Sequence, residues 1–149
     1  MKYLRYVPNA SHSLSGSDAL VTVKACYQAV LAAAALPQFS WTLESSNTLR
    51  VATGDLPSDL PAAVRLWQAL NPNARDFRLA TFGAQWQSSP LASQGGGVYI
   101  ATVPVPSQGW RAFFVELTYA RGALAPLKLT TQVYVVPDRL PYDYPPAGP

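Results

Sequence analysis

The sequence predicts a mainly β fold, an immunoglobulin-like or fibronectin-III-like β-sandwich, preceded by one strand and one helix from a different kind of domain. The hydrophobic period changes near residue 37, from the three- and four-residue spacing of a helix to the two-residue spacing of strands. About seven short strands at ten-residue spacing then follow between Gln38 and Val136. The chain contains 13% charged residues and 14 prolines, a composition that suits a turn-rich β module.

The opening stretch predicts a strand, a loop and then a helix. Residues 2–7 alternate and are rich in β-formers, Pro8 and Asn9 end the strand, and the loop carries His12, the single histidine. The last catalytic element of an α/β-hydrolase presents its general base in this arrangement, after a serine and an acid earlier in the chain. On spacing alone, however, an isolated histidine is more often a surface or structural residue.

The helix is predicted over residues 17–35. Ser17 and Asp18 supply start signals, and Pro37 limits its end. One apolar stripe recurs at helical spacing and consists of Leu20, Val23, Tyr27, Val30, Leu31 and Ala34. We expect this segment either to dock on the β module or to expose apolar surface, because one strand and one helix cannot bury both faces of either element.

The rest of the chain predicts the strands of the sandwich. They are placed at residues 39–43, 49–53, 63–71, 77–80, 85–87, 97–103, 110–119 and 129–136, the stretch at 85–87 being only a possible short strand. Trp67 and Tyr119 are predicted to lie in the core. The inward residues of the last two strands are predicted to be Phe113, Val115, Leu117, Tyr119, Leu129, Thr131, Val133 and Val135. The pattern would also fit a sandwich of different topology.

Three segments follow from these patterns. Residues 1–37 form the strand, histidine loop and helix, residues 38–136 form the sandwich, and residues 137–149 form a proline-rich tail that is extended or disordered.

Composition excludes several classes of function. The net charge is +3 and the eleven Lys and Arg residues are scattered singly, so we predict no nucleic-acid partner. A single cysteine, Cys26, allows neither an internal disulfide nor a cysteine-built zinc site, and no metal ligand cluster or cofactor motif is present. Neither a signal peptide nor a transmembrane segment is recognisable.

The segment KYLRYVPNASHSLSGSDA, residues 2–19, closely resembles the end of the hydrolase domain in the PhoPQ-activated pathogenicity-related proteins, which are predicted exported bacterial α/β-hydrolases. The resemblance continues through YQAVL, PQFSWTLE and LRV, and more loosely through VRLWQALNP, RDFRL and GWRAFFVELTY. It implies that residues 1–37 are the remnant of an α/β-hydrolase domain and that the missing N-terminal hydrolase domain is this chain's partner. It also implies that His12 is the triad base, that the full-length protein is exported or periplasmic, and that it is virulence-associated.

A histidine base requires a nucleophile and an acid to form a catalytic triad. No G-x-S-x-G nucleophile elbow occurs in the chain, and the resemblance places the acid upstream of Met1, so we expect this polypeptide by itself to be inactive. Asp55 and Asp59 could form a carboxylate pair, but their proline-flanked loop favours a role in turns.

The alternative is a non-enzymatic β-sandwich module that binds an envelope glycan or a protein partner. Exposed aromatic residues could stack on sugar rings, and the candidates are Trp86, Tyr99, Trp110 and Tyr134. An aligned, solvent-facing row of these side chains would favour this alternative.

Overall fold

The computed structural model describes residues 3–142. Its regular elements are α1 (Ala19–Leu31), β1 (Phe39–Ser45), β2 (Thr48–Thr53), β3 (Ala63–Asn71), the short helix α2 (Leu79–Phe82), β4 (Gln87–Pro90), β5 (Val98–Thr102), β6 (Trp110–Tyr119), β7 (Leu127–Thr130) and β8 (Tyr134–Val136). The predicted tail can be followed to residue 142, and its last seven residues lie outside the described part.

Two antiparallel sheets pack face to face. One has the order β1-β2-β5 and the other the order β4-β3-β6-β7, with β8 also pairing with β6. In both sheets strands distant in sequence are neighbours, which is the Greek-key arrangement of immunoglobulin-like and fibronectin-III-like domains. Side chains from both sheets, including Leu49 and Val51 from one and Val115 and Leu117 from the other, form one buried core. The predicted fold class is confirmed.

Strand β6 is the centre of the molecule because it is buried on both faces. Phe113, Val115 and Leu117 point into the core between the sheets. Phe114 and Glu116 alternate with them and therefore lie on the outer face of the larger sheet, where they are 1% and 2% exposed. Something must therefore cover this outer face, and the elements that do so also build the candidate site.

The prediction that Trp67 belongs to the core between the sheets is wrong. Trp67 is directly opposite Phe114 in the β3–β6 register, so it shares the outer face with that ring. The two rings are stacked with their centroids 6.4 Å apart. Tyr119, in contrast, is 3% exposed and belongs to the core, as predicted.

The last predicted strand is interrupted by a bulge. Glu116 is opposite Thr130 and Phe113 is opposite Tyr134, so three steps along β6 correspond to four steps along its partner. The extra residue lies around Thr131, whose hydroxyl accepts a hydrogen bond from the Val115 N–H at 3.0 Å. A bulge of this kind shifts the alternation of the strand by one residue.

This shift explains which inward residues were predicted correctly. Leu129, before the bulge, packs in the core as predicted. After the bulge, Tyr134 and Val136 point inward, whereas Val133 and Val135 were predicted to do so. The side-chain hydrogen bonds that stabilise a bulge are long-range, and a hydrophobic pattern does not contain them.

Residues 77–80 were predicted as a strand but lead into helix α2. The Asp76 carboxylate accepts hydrogen bonds from the Arg78 N–H at 3.1 Å and from the Thr81 hydroxyl at 2.7 Å, which turns the chain into a helical conformation. The possible strand at 85–87 is found slightly later, as β4. The predicted bounds of β3 and β6 agree with the structure.

The opening segment was predicted as a strand at residues 2–7, and in its described part, residues 3–7, one β-bridge joins it to the sandwich. Leu4 pairs with Thr130 at the outer edge of β7, and the Leu4 carbonyl accepts the Thr130 N–H at 2.8 Å. The Tyr6 N–H then donates to the Thr130 hydroxyl at 3.1 Å. From this edge the chain turns across the outer face of the larger sheet.

Helix α1 is shorter than predicted, and its large apolar residues are exposed. The buried side consists of the small residues Ala19, Thr22, Ala25 and Ala29. Leu20 and Val30 are each 77% exposed, and they lie in an apolar face that is completed by Val23, Tyr27 and Leu31. Of the two outcomes expected for this helix, both occur, because α1 docks through its small residues while its apolar face is exposed.

Four charged residues fasten the N-terminal segment to the sheet, and we call them the ion-pair network: Arg5, Asp18, Glu116 and Lys128. Arg5 donates from Nη1 to Glu116 and from Nη2 to Asp18, both at 2.6 Å. Lys128 Nζ donates to the second Asp18 oxygen at 2.6 Å. Glu116 is almost fully buried, so its negative charge needs the positive charge of Arg5 to compensate for the loss of water.

The same network stabilises the charged form of the Asp18 carboxylate. Burial by itself would raise the pKa of its carboxyl, but the hydrogen bond from Lys128 and the positive charges of Arg5 and Lys128 together outweigh burial and lower the pKa below the ordinary value of 3.8. Asp18 immediately precedes α1, so the network also fixes where the helix begins.

Replacing Glu116 should destabilise the protein strongly. In the variant Glu116→Gln, Arg5 loses its buried counter-charge, and we expect the free energy of unfolding to fall by roughly 3–5 kcal/mol. Urea denaturation measures this change. Glu44→Gln is the matched control, because Glu44 faces Arg50 at 3.9 Å and both side chains are 43% exposed, so the expected change is below about 1 kcal/mol. Equal losses in the two variants would contradict a special role for Glu116.

The contribution of Asp18 to the free energy of unfolding should depend on pH. Because folding lowers the Asp18 pKa, the stability it contributes is fully present above its unfolded value and is lost as the pH falls through the lower native value. We therefore expect the difference in unfolding free energy between the native protein and Asp18→Asn to be constant near neutral pH and to shrink below about pH 4. A difference independent of pH down to acid unfolding would show that Asp18 acts through packing alone.

Candidate functional site

An apolar cavity of about 520 Å³ opens on the outer face of the larger sheet. Two loops enclose it: the first loop, residues 6–12, and the second loop, residues 77–86. The side chain of Phe114 lies between them, and Val133 completes the lining. We call this space the aromatic cavity, because four of its lining residues are aromatic.

The aromatic rings are in mutual contact. Trp86 lies 5.3 Å from Phe114 between ring centroids, and Tyr6 lies 6.0 Å from the same ring. Phe77 is 6.0 Å from Trp86 and 5.7 Å from Phe82. Tilted and edge-on pairs at these distances are the favourable arrangements for aromatic side chains. The cavity is therefore lined by a cluster of contacting rings that includes Phe114 of the central strand β6.

Asn9 joins the two loops. Its side-chain amide donates to the Trp86 carbonyl at 2.9 Å and accepts from the Trp86 N–H at 3.0 Å, so that it pairs with the backbone as a neighbouring strand would. Asn9 has a φ of +56°, a left-handed conformation that asparagine tolerates better than most residues. The first loop thereby has a fixed position relative to the second.

Asp76 organises the second loop. Its carboxylate binds the Arg78 guanidinium at 2.6 and 2.9 Å in addition to the Arg78 N–H and the Thr81 hydroxyl. The hydrogen bond from Arg78, followed by that from Thr81, lowers the pKa of Asp76 far below its ordinary value. The pKa of Arg78 is raised by the same contact. Arg78 lines the cavity, but its charge is paired.

His12 lies at the rim of the aromatic cavity. It is exposed and is the last residue of the first loop, before α1. The neighbouring hydroxyls of Ser11 and Ser13 bind each other at 3.0 Å. The fifteen described residues that line the cavity include no Asp or Glu. The described part of the chain thus provides an accessible imidazole without the acid that would orient it.

The Asp55 and Asp59 pair does not form a catalytic site. Asp59 is 3% exposed and accepts the Gln38 N–H at 2.7 Å, whereas Asp55 is exposed. The buried carboxylate fixes the chain where β1 begins. Its charge, after the larger effect of burial, also raises the pKa of Tyr119. Cys26 is half-buried against the core, which agrees with a packing role.

The four aromatic residues considered for glycan binding do not form an exposed row. Trp86 belongs to the aromatic cavity, and Tyr99 and Tyr134 pack against the core. The Trp110 indole N–H donates to the Arg139 carbonyl at 3.1 Å, and the Arg139 guanidinium lies 5.9 Å from the centre of the Trp110 ring. Each of these aromatic residues therefore has a neighbour within the chain.

Sequence reasoning missed most residues that shape the site. Asn9 was interpreted only as a strand end, Phe77 as part of a strand, and Phe114 as a residue between inward positions. One signal was present: at positions 112–117 the residues between the inward ones include an aromatic ring, which suggests a strand covered on both faces. The pairing of Asn9 with Trp86 connects residues 77 positions apart and has no local signal.

Among residues 3–142, no group of three or more His, Cys, Asp or Glu side chains is placed to hold a metal ion. Across the same described range, no helix combines the length and the apolar character needed to cross a membrane.

Comparison with known proteins identifies the family. The sequence model of the PhoPQ-activated pathogenicity-related protein family matches residues 1–78, which include the histidine loop, α1 and the strands β1 to β3. Autocrine proliferation repressor protein A from Dictyostelium discoideum is 32% identical over 162 aligned positions, which cover 95% of this chain and 33% of that protein. The chain thus spans about a third of the length of this relative. With more than half of its residues matched, the chain belongs to the PhoPQ-activated pathogenicity-related protein family.

Proposed function

We propose that this chain is the histidine-bearing part of an α/β-hydrolase-like protein and that His12 is the general base of its Ser-His-acid triad. The observation that carries the proposal is the position of His12. It is accessible, it lies at the rim of an apolar cavity, and its loop is held on one side by the ion-pair network and on the other by Asn9. Catalytic bases require accessibility and a fixed position of this kind.

In this mechanism the imidazole takes the proton of a serine hydroxyl as the serine attacks an ester or amide carbonyl, and then gives that proton to the leaving group. The serine and the acid would come from the part of the full-length protein that corresponds to the other two thirds of the Dictyostelium relative. The role proposed for the sandwich is to position the histidine loop. Export follows the resembled bacterial proteins and is part of the same proposal.

The exposed face of α1 supports this proposal. Leu20, Val30 and Leu31 are 77%, 77% and 69% exposed, far more than large apolar residues usually are when they are clustered. The helix that follows the histidine loop in an α/β-hydrolase packs on the central sheet. We therefore assign the apolar face of α1 to the proposed hydrolase domain of the same protein.

The glycan-binding alternative has less support, because its candidate aromatic side chains are engaged within the chain. A protein-binding module would also need an exposed apolar surface, and the apolar face of α1 is such a surface. The catalytic proposal accounts for both this face and His12, whereas the binding-module proposal leaves His12 unexplained.

The isolated chain should be inactive as an esterase. We expect no hydrolysis of 4-nitrophenyl acetate or butyrate above that of buffer, and the same result for His12→Ala, because the imidazole has no nucleophile to activate. Release of 4-nitrophenol is followed by absorbance. Turnover that disappears in His12→Ala would contradict this expectation.

The control uses a full-length family member. In a full-length family member that hydrolyses 4-nitrophenyl esters, replacing the residue aligned with His12 by alanine should lower kcat by roughly 10³–10⁶-fold with little effect on KM. Replacing the residue aligned with the exposed Ser13 should leave kcat within a few-fold. An unchanged kcat in the histidine variant would overturn the catalytic proposal.

Substitutions on the two sides of α1 should affect the free energy of unfolding differently. Val23→Lys with Val30→Lys should change the unfolding free energy of this chain by less than about 0.5 kcal/mol and reduce its self-association, because both side chains are exposed. Ala25→Leu should destabilise the chain by about 1–3 kcal/mol, because Ala25 is fully buried. Thermal unfolding and light scattering measure the two effects. Equal destabilisation by both changes would mean that α1 buries its large residues.

A further inference from the structure

We propose that the aromatic cavity binds an uncharged aromatic ring of the substrate, so that the substrate class is esters or amides of aromatic acids or phenols. The proposal rests on the proposed function only in placing the reacting bond near His12. Binding of the ring itself depends on the cavity and can be measured without catalysis.

The size of the cavity fits such a group. Ligand pockets commonly enclose about 300–1,000 Å³, and the aromatic cavity measures about 520 Å³. A ring inserted here would meet Phe114, Trp86, Phe77 and Tyr6, whose mutual contacts show that they already lie at aromatic packing distances. An aromatic guest can extend this cluster by stacking or edge contact.

The polar groups of the cavity favour a neutral guest. Arg78 donates from Nε and Nη2 to the two Asp76 oxygens, so its charge is already paired with a carboxylate of the chain and is less available to a carboxylate ligand. The Asn9 amide is used by the Trp86 backbone, and the Trp86 indole N–H donates to the Phe77 carbonyl at 3.3 Å. A sugar would leave several hydroxyls without partners, which is costly in a desolvated site.

The orientation of the guest follows from the position of the polar rim. The apolar rings form the base, and His12, Ser11 and Asn9 lie along the first loop at the rim. A ring-bearing ester would therefore bury its ring at the base and present its carbonyl toward the imidazole. Because both loops are fixed by hydrogen bonds before binding, little ordering cost is expected.

The test measures binding to the complete 149-residue chain by NMR. Methyl benzoate is the neutral aromatic probe, with sodium benzoate and methyl β-glucoside as comparison ligands, and the indole N–H signal of Trp86, assigned with Trp86→Phe, is the reporter. We expect saturable shifts of this signal with methyl benzoate, at least about tenfold weaker binding of benzoate, and no shift with the glucoside. Equal or stronger binding of benzoate or the glucoside would overturn the proposed substrate class.

Two substitutions of exposed alanines localise the binding. Ala80 lines the cavity, so Ala80→Trp should narrow it and weaken methyl benzoate binding at least about tenfold, whereas Ala123→Trp, at an exposed position outside the cavity, should have no effect. Thermal unfolding checks that both variants fold. Shifts concentrated on the apolar face of α1, or unchanged binding in Ala80→Trp, would show that the cavity is not the site.

His12→Ala separates this inference from the catalytic proposal. Methyl benzoate should bind this variant with affinity within about threefold of the native chain, because His12 lies at the rim and not at the ring-lined base. If the probe binds while the full-length family member keeps its kcat when the residue aligned with His12 is alanine, the catalytic proposal fails and the cavity assignment holds. If the probe does not bind while that variant loses its activity, the cavity assignment fails and the catalytic proposal holds.

Discussion

The buried salt bridge between Glu116 and Arg5 is the interaction on which the rest of the structure depends. A carboxylate that is 2% exposed in the middle of a central strand is unfavourable unless a cation reaches it, and Arg5 reaches it from a segment 111 residues away in sequence. That contact brings the first loop across the outer face of β6. The same loop then covers Phe114 and contributes to the aromatic cavity, so this ion pair supports both the packing of the outer face and the site, together with the hydrogen bonds of Leu4, Tyr6 and Asn9.

The sandwich could be predicted because its signals are local. The two-residue alternation in β3 and β6 gave their correct bounds, since apolar residues recur at every second position over part of each strand, at Val64 and Leu66 in β3 and from Phe113 to Leu117 in β6. The bulge at Thr131 could not be predicted, because it depends on hydrogen bonds with Val115 across the sheet. The stripe of α1 was recognised, but a pattern cannot reveal that its large residues are exposed and that small residues make the contact with the sandwich instead.

The candidate site was only partly predictable, because it too depends on contacts between residues that are distant in sequence. His12 could be selected because it is the single histidine and lies in a segment that resembles a known catalytic loop. The cavity beside it combines residues from positions 6 to 133, and their proximity depends on the tertiary fold. Asn9 shows the difficulty most clearly, since its importance comes from a left-handed backbone and two bonds to a distant residue.

The double hydrogen bond of Asn9 has a mechanical consequence. The Asn9 amide binds both the N–H and the carbonyl of Trp86. The two loops are therefore mechanically coupled at this point, and a displacement of one loop is transmitted to the other. Asn9 is three residues before His12 in the same loop. The same two bonds therefore help to set the position of the imidazole relative to the Trp86 ring before any guest enters the cavity.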